Sequence, residues 1–521
     1  MRLIDYFDRG FEINPNGDCL VSDDDGSRHS YIEVRNLTLK GAQALRAAGF
    51  ESGKGAVLSL NHPLAVVATL TLMRADLTWV PLNPRDAADN HAYVLENFDC
   101  DVLFYQSRYA ESVAEFRRRI PGIKLFVCLD EPDSGPAFLD WIADHEAAEI
   151  PLDFDPEGIV MMAGTGGTTG QPKGVMQTHR ALETQVLVIS SVLPFRKRPV
   201  YFAVAPLTHA AGYITYPIYA AGGTLVLQGT AEPKKILSAI ERHGVSSLFL
   251  PPTLIYLMLA EPSVRDFDYS SLEFFMYGAS PMSPTRLREA IEVFGPVMTQ
   301  MFGQTETLFP LTYLPPAEHF VDHEIGGEIA PDERLRSCGR AAPGVELAIM
   351  SEDGRLLEQG ETGEIVVRSL MVMKGYYQSP EATIEAFAHG WYHTGDVGFC
   401  DADGYYTIVD RAKDMIISGG FNVYSTEVEA AILAHEAVQE CAVIGVPDEK
   451  WGEAIKAIVE LKPGREATAG DIIALCKQKI GSVKAPKTVD FTDAIPRSAV
   501  GKVLKRELRA PYWEGRERLV G

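Results

Sequence analysis

Gly164-Thr165-Gly166-Gly167-Thr168-Thr169-Gly170-Gln171-Pro172-Lys173-Gly174 puts five glycines, three threonines and one lysine into eleven residues. Glycines let a backbone turn tightly and approach a ligand closely. Successive free N–H groups form an anion-binding concavity, and the hydroxyls and the ammonium add donors and charge. The stretch reads as a phosphate-holding loop. It is not a Walker A loop, because Lys173 is followed by Gly174 and Val175. It is not a dinucleotide fingerprint, because Thr169 stands where the third glycine belongs. The apolar run Ile159-Val160-Met161-Met162-Ala163 ahead of it reads as a buried strand. The loop therefore sits in an α/β fold.

Around this loop the pattern alternates. Ser30-x-x-Glu33 predicts a capping box opening a helix to about Ala48. Strands are predicted at 56–60, 78–81, 102–105 and 125–129, with helices near 64–75 and 90–97. A second α/β stretch has strands at 201–205, 224–227 and 247–250. Leu248 to Ala260 is apolar, but it is broken by Pro251 and Pro252 and is too short to span a bilayer. From Cys338 on, 345–350, 364–368 and 405–409 alternate like half-buried strands, with Asp353-Gly354 and Asp403-Gly404 marking turns. After Asp410 the texture becomes α+β. Thr426-x-x-Glu429 predicts a helix start, 441–446 and 457–461 read as strands, and 471–480 reads as a helix. The expected architecture is α/β. A large N-terminal domain, 1–410, has layered α/β subdomains and a small β-rich subdomain at 335–410, and a mobile α+β C-terminal domain spans 411–521.

The chain of 521 residues carries a formal net charge of −23, which disfavours binding along nucleic acid. The segment from Lys477 to Gly521 is the exception, with 11 Lys/Arg against 5 Asp/Glu, so it is suited to anionic ligands. Seven scattered cysteines, with no Cys-x-x-Cys pair, exclude a zinc cluster of that type and fit free thiols in a reducing cytoplasm. The N-terminus has no signal-peptide apolar core, and no transmembrane segment is expected.

Five further motifs stand in one order along the chain, and with the loop they resemble the adenylate-forming superfamily of acyl-CoA synthetases, luciferases and peptide-synthetase adenylation domains. The resemblance implies that Thr165, Gly166, Gly167, Thr168, Thr169, Gly170 and Lys173 hold the phosphates of ATP. Tyr277-Gly278-Ala279-Ser280-Pro281 looks like the family's adenine-side turn, and Gln300-Met301-Phe302-Gly303-Gln304-Thr305-Glu306 like its nucleotide and magnesium motif. In that motif Phe302 would stack near adenine, Thr305 would bind the α-phosphate and Glu306 would hold Mg²⁺. Asp396, in Tyr392-His393-Thr394-Gly395-Asp396, and Arg411 are implied ribose contacts, and Lys413 is the implied hinge. Met415 to Tyr424, with Gly419 and Gly420, resembles the loop lining the pantetheine tunnel. Ser425 follows where many relatives have proline. Lys502, in Pro496-Arg497-Ser498-Ala499-Val500-Gly501-Lys502, matches the lysine that reaches the substrate carboxylate and the α-phosphate. His209 matches a position at the acyl-pocket entrance, with Ala210, Gly212, Tyr213, Tyr277 and Gly278 around it. Lys487 matches a CoA-phosphate position of some relatives, although Ala485 stands where those have a basic residue.

The implied activity is ATP-dependent acyl-CoA ligation with Mg²⁺, in which a carboxylic acid and ATP give acyl-AMP, and CoA then gives the thioester. Small residues beside two tyrosines suit a sizeable apolar acid, whether fatty, aromatic or polycyclic. No aspartate precedes Gly212 for a substrate amine, which favours a plain acid over an amino acid. A carrier-protein loader and a non-catalytic nucleotide binder are the alternatives. Assembly as a homodimer is a further expectation.

Overall fold

The computed structural model describes residues 1–133, 136–165, 172–497 and 503–514. The chain divides into two compact units: Met1–Glu346 with Arg368–Ala386, and Leu347–Val367 with Phe387–Gly521.

The first unit contains, among the described residues, a nine-stranded and a seven-stranded sheet. In the first, five strands run parallel and adjacent in the order 224–227, 200–203, 247–250, 274–278 and 298–304. Ligands of open α/β sheets sit beyond the carboxyl ends of such strands, and this sheet sends 204–212, 279–280 and 305–306 out from that edge. Strands Ser247–Leu250 and Phe274–Gly278 are buried along their whole length, as parallel strands covered on both faces must be. A core of Phe202, Leu248, Phe275, Leu287 and their neighbours fills one side. The second sheet carries Lys54–Leu58, Thr78–Pro81, Val102–Tyr105 and Leu125–Cys128 in parallel. It also carries the antiparallel pair Ile159–Gly164 and Gly174–Thr178. The phosphate-type loop therefore joins two paired strands.

Local sequence signals appear where the pattern placed them. Ser30 caps the helix Tyr31–Ala47 with both reciprocal hydrogen bonds to Glu33. Pro63 opens Pro63–Arg74 at a position where its missing N–H costs nothing. Arg74 is buried, 1 % exposed. It donates to both Asp8 carboxylate oxygens at 3.1 and 2.7 Å and to Thr38 Oγ1 at 3.1 Å, which fastens three helices together.

The strands 345–350, 363–369, 392–400 and 406–411, which lie in the second unit except for residues 345–346 and 368–369, form one sheet. Another is built on the long hairpin Val438–Asp448 and Gly452–Leu461, with Ile416–Ser418, Phe421–Val423 and Thr488–Phe491 added. One expectation is corrected here. The helix Ser425–Leu433 starts a residue early and has no cap from Thr426. Asp410 instead accepts from the Ser425 amide and, at 2.7 Å, from its hydroxyl. Thr426 donates to the Val409 carbonyl, and Glu429 pairs with Lys505 at 2.7 Å. A tertiary carboxylate has taken over the local capping role. All seven cysteines are free thiols, six of them buried.

Removing one partner of a buried ion pair leaves the other charge poorly compensated, and without Asp8 the buried Arg74 keeps only Glu149, 3.5 Å away on a half-exposed side chain. Asp8→Ala is therefore expected to destabilise the first unit by about 3 kcal/mol, and the urea unfolding midpoint of the full chain measures this.

Candidate functional site

The glycine-rich loop is closed at its neck. The Thr165 amide donates to the Lys173 carbonyl at 3.0 Å, and the Lys173 amide donates to Thr165 Oγ1 at 3.2 Å. Gly166, Gly167, Thr168, Thr169 and Gly170 lie outside the described residues, as does Lys502. The strand leaving the loop pairs on its other edge with Gly375–Tyr376, Tyr376 standing opposite Val175. The Lys173 ammonium lies over the Tyr376 ring at 5.1 Å. The Tyr376 hydroxyl donates to Glu306 Oε1 at 3.1 Å. Two more bonds fix the acidic turn: the Met373 amide donates to the Glu306 carbonyl at 2.7 Å, and Gln177 Nε2 to the Thr305 carbonyl at 2.7 Å. Lys173, Thr165, Thr305 and Glu306 are thus brought together by two residues, Tyr376 and Gln177, that the sequence reading did not single out. The aromatic pair Tyr376-Tyr377 after a glycine was the only signal, and it is a weak one.

Thr305 and Glu306 form the tip of a tight hairpin between Met298–Gln304 and Leu308–Leu314, in which Gln304 faces Leu308. Thr307 Oγ1 accepts from the Gln304 amide at 3.2 Å. A Cβ on Gly303 would lie 2.2 Å from the Leu308 carbonyl oxygen, so only glycine fits there. In the parallel neighbour, Gly278 stands opposite Met301, and a Cβ there would lie 2.3 Å from the Met301 carbonyl oxygen. Ala279 follows in the left-handed region at φ 65°, a conformation that costs a non-glycine residue on the order of 1–3 kcal/mol and marks functional turns. Ser280 and Phe302 are half-buried beside this turn. Gln300 Oε1 is buried with no partner among the described residues.

Of the acyl-pocket candidates, His209 is exposed and its Nδ1 lies 3.0 Å from Thr208 Oγ1. Ala210, Gly212 and Tyr213 form the short helix that follows. Gly212 packs so tightly that a Cβ would sit 1.9 Å from the Leu207 carbonyl oxygen. Burial, and then the charge of Glu306, pushes the Tyr213 hydroxyl pKa up, which puts this helix within electrostatic reach of the acidic turn. Tyr277 lies in the apolar core. Its hydroxyl donates to His319 Nε2 at 3.1 Å, while His319 Nδ1–H donates to the Pro315 carbonyl at 3.0 Å. Burial lowers the His319 pKa to about 4, so this relay is neutral. A cavity of about 60 Å³ adjoins the helix. Gly212 lines it, and the other five candidates do not.

In the second unit, Asp396 and Arg411 are directly opposed across two antiparallel strands. Arg411 Nε meets Asp396 Oδ1 at 3.0 Å, with Asp396 almost fully buried. Gly395, at φ 69°, turns the strand there, and Glu364 accepts from its amide at 2.8 Å. Ala412–Asp414 form one helical turn, held by Arg509 through the Lys413 carbonyl at 3.0 Å and the Asp414 carboxylate at 2.9 Å. Burial, reinforced by Arg411, lowers the Lys413 pKa to about 8. Gly419 and Gly420, at φ 62° and 82°, make the two-residue turn between Ile416–Ser418 and Phe421–Val423. Two positive φ values are what such hairpin turns need. The Gly419 amide donates to the Trp451 carbonyl at 2.8 Å. The Lys487 ammonium lies 5.8 Å from the centre of the Trp451 ring. Trp451, unmarked in the sequence, thus links Gly419 and Lys487, two of the three residues matched to CoA binding. The bridge Arg497–Val503 spans the segment containing Lys502.

The AMP-binding enzyme model matches residues 7–377, and the model of the AMP-binding enzyme C-terminal domain matches 427–502. The chain belongs to the AMP-binding enzyme family. This AMP-binding enzyme is 34% identical over 495 residues to the medium/long-chain-fatty-acid–CoA ligase FadD8 of Mycobacterium tuberculosis (strain ATCC 25618 / H37Rv), covering 92% of this chain and 85% of that protein. It is 34% identical over 490 residues to a feruloyl-CoA synthase of Amycolatopsis sp, covering 94% of each. Among solved structures, the amide bond synthetase McbA of Marinactinospora thermotolerans matches with a TM-score of 0.87 at 30% identity, covering 98% of this chain and 100% of that one. The family and the α/β fold class expected from the motifs agree with these findings. Among the described residues no helix of this AMP-binding enzyme is long and apolar enough to cross a membrane.

A lysine whose folded pKa lies below its unfolded value binds fewer protons when folded, so stability rises with pH between about 8 and the ordinary lysine value. The expected outcome is that Lys413→Met removes this part of the pH dependence and stabilises the chain most at pH 7, read as the difference in urea unfolding between variant and wild type across pH 7–10.

Proposed function

We propose that this AMP-binding enzyme is an ATP-dependent acyl-CoA ligase for a sizeable, mostly apolar carboxylic acid. The observation that carries the reading is the assembly of Lys173, Thr165, Thr305 and Glu306 by Tyr376 and Gln177. It puts a cation, hydroxyls and one carboxylate where two anions must be held together.

A carboxylate is already ionised at neutral pH and needs no general base to attack the α-phosphorus. The chain must overcome the repulsion between acid and triphosphate. In this reading the loop N–H groups and Lys173 hold the β- and γ-phosphates, and Thr305 bonds to the α-phosphate. Phe302, Gln300, Met301, Gly303 and the turn Gly278-Ala279-Ser280 bound the adenine. Asp396 accepts from the ribose hydroxyls beside Arg411. Lys502 bridges the acid and the α-phosphate, stabilising charge as it develops. Glu306 fits Mg²⁺: its Oε1 is oriented by Tyr376, and carboxylate oxygen is the donor this hard cation takes. Glu306 would hold the ion, and no cluster of three acidic, histidine or cysteine ligands exists among the described residues. When bound, Mg²⁺ would neutralise phosphate charge. Pyrophosphate leaves as the acyl-adenylate forms, and the CoA thiol then attacks the acyl carbon with AMP as leaving group. Gly419, Gly420 and Lys487 would serve the thiol co-substrate, and His209 the acid. Domains at 1–410 and 411–521, alternating about Lys413 between the half-reactions, a cytoplasmic site of action and a homodimer belong to the same proposal.

An amide bond synthetase shares the fold, so the acceptor is tested separately from the acid. Pyrophosphate release with a panel of acids tests the first half-reaction, and thioester formation on adding CoA tests the second. Lys502→Ala is expected to slow adenylation about a hundredfold or more while sparing thioester formation from preformed acyl-adenylate. Equal loss in both half-reactions would refute its assignment. Tyr376→Phe frees Glu306 Oε1, and about a tenfold rise in the Mg²⁺ concentration needed for half-maximal pyrophosphate release is expected, as for loss of an outer-shell partner.

A further inference from the structure

The cavity beside Gly212 lies entirely in the first unit and has a mostly apolar wall that includes Leu70 and Tyr216. At roughly 10–15 Å³ for each water-sized occupant, its 60 Å³ has room for about four to six such groups. One side is Thr208 and Gly212, which flank His209, the residue placed at the acid. Through Thr208 and Gly212 it therefore borders the segment that carries His209.

Most polar groups in its wall are already spent. Ser59 donates to the Leu60 carbonyl at 2.8 Å, Thr69 to Ala65 at 3.0 Å and Thr215 to Gly212 at 2.7 Å. Asn61 gives its amide hydrogens to the Ala203 and Ala205 carbonyls, both at 3.0 Å, and accepts from the Leu207 amide at 3.1 Å. Two N–H donors remain without an acceptor. The Trp79 indole N–H is buried and unpartnered, on a side chain only 7 % exposed. His62 is the second. As N-cap of the helix Pro63–Arg74, its Nδ1 accepts from the Leu64 amide at 3.2 Å. Burial lowers its pKa, against the opposing pull of Asp130, Asp25 and Asp24, so the ring is neutral near pH 7. A neutral imidazole whose Nδ1 accepts carries its proton on Nε2, and no acceptor meets that atom among the described residues. A buried donor left unmatched, as the Trp79 indole is, is costly, and a mostly apolar wall that sets it beside the half-buried His62 N–H is complementary to an oxygen acceptor.

We propose that this cavity takes the end of the acyl substrate farthest from its carboxylate, and that His62 and Trp79 select acids bearing an oxygen acceptor at that end, such as oxo-substituted ring acids. The inference rests on the acid-activating reading and narrows it. Sites built to hydrogen-bond a substrate discriminate strongly against the analogue lacking the group.

The test compares matched acids by pyrophosphate release in the full-length enzyme: 3-(4-oxocyclohexyl)propanoic against 3-cyclohexylpropanoic acid, and 3-(4-methoxyphenyl)propanoic against 3-phenylpropanoic acid. Wild type is expected to favour the oxygenated member by about tenfold or more in kcat/KM. His62→Ser keeps an N-cap and removes the ring donor, and Trp79→Phe keeps an aromatic wall and removes the indole N–H. Both are expected to bring the ratio toward one, with thermal unfolding confirming that each variant folds. Equal kcat/KM for paired acids in wild type, or variants that slow both acids and leave the ratio unchanged, would overturn the inference while the acid-activating reading stands. Pyrophosphate release with no acid at all would overturn both.

Discussion

The hydrogen bond from the Tyr376 hydroxyl to Glu306 Oε1 is the constraint on which the first unit's site depends. Glu306 sits at the tip of a hairpin that belongs to one sheet, and Lys173 leaves a loop that belongs to another. Nothing in either sheet alone would set the distance between a carboxylate and an ammonium so far apart in sequence. The two-residue strand Gly375–Tyr376 does so by pairing with the Lys173 strand while its side chain reaches the acidic turn. The aromatic ring separates the two charges, so neither neutralises the other by direct pairing. Both stay available for an anion and a cation arriving together.

A comparable node organises the second unit. Asp410 is the last residue but one of a strand, accepts from Ser425 at the start of a helix, and so joins Lys505 and Glu429. Lys505 is buried, and the attraction of Glu429, Asp410 and Asp414 outweighs its desolvation and holds its pKa up. Asp410, buried in turn, is shifted upward. The turn at Lys413 begins two residues after Asp410 and is held by Arg509, with Arg411, Asp414 and Asp396 as the nearest charges, so the segment that the family resemblance marks as a hinge is bordered by charged side chains.

Elements governed by local chemistry were legible in the sequence. The Ser30–Glu33 capping box and the strands at 78–81, 224–227, 247–250 and 345–350 stand at the residues expected of them. The motif glycines were legible for a steric reason: Gly278 and Gly303 face carbonyl oxygens at distances no side chain tolerates. What stayed hidden were partners supplied from far along the chain. Thr426 and Glu429 form a convincing local cap pattern, yet Asp410 caps that helix. Tyr376, Gln177 and Trp451 carry no motif of their own, and their contacts emerge only when strands pair. Tyr277 matched an acyl-pocket position, but its hydroxyl is engaged by a buried neutral histidine, which no spacing rule could reveal.

The seven unpaired cysteines bear on an enzyme of the acid–thiol ligase kind. Burial raises the thiol pKa of Cys19, Cys100, Cys128 and Cys441, and lifts Cys476 to about 11. Thiol–disulfide exchange proceeds through the thiolate, and these side chains hold almost none at neutral pH. The same apolar burial that packs the cores keeps these five thiols in the protonated form, which is the poor nucleophile.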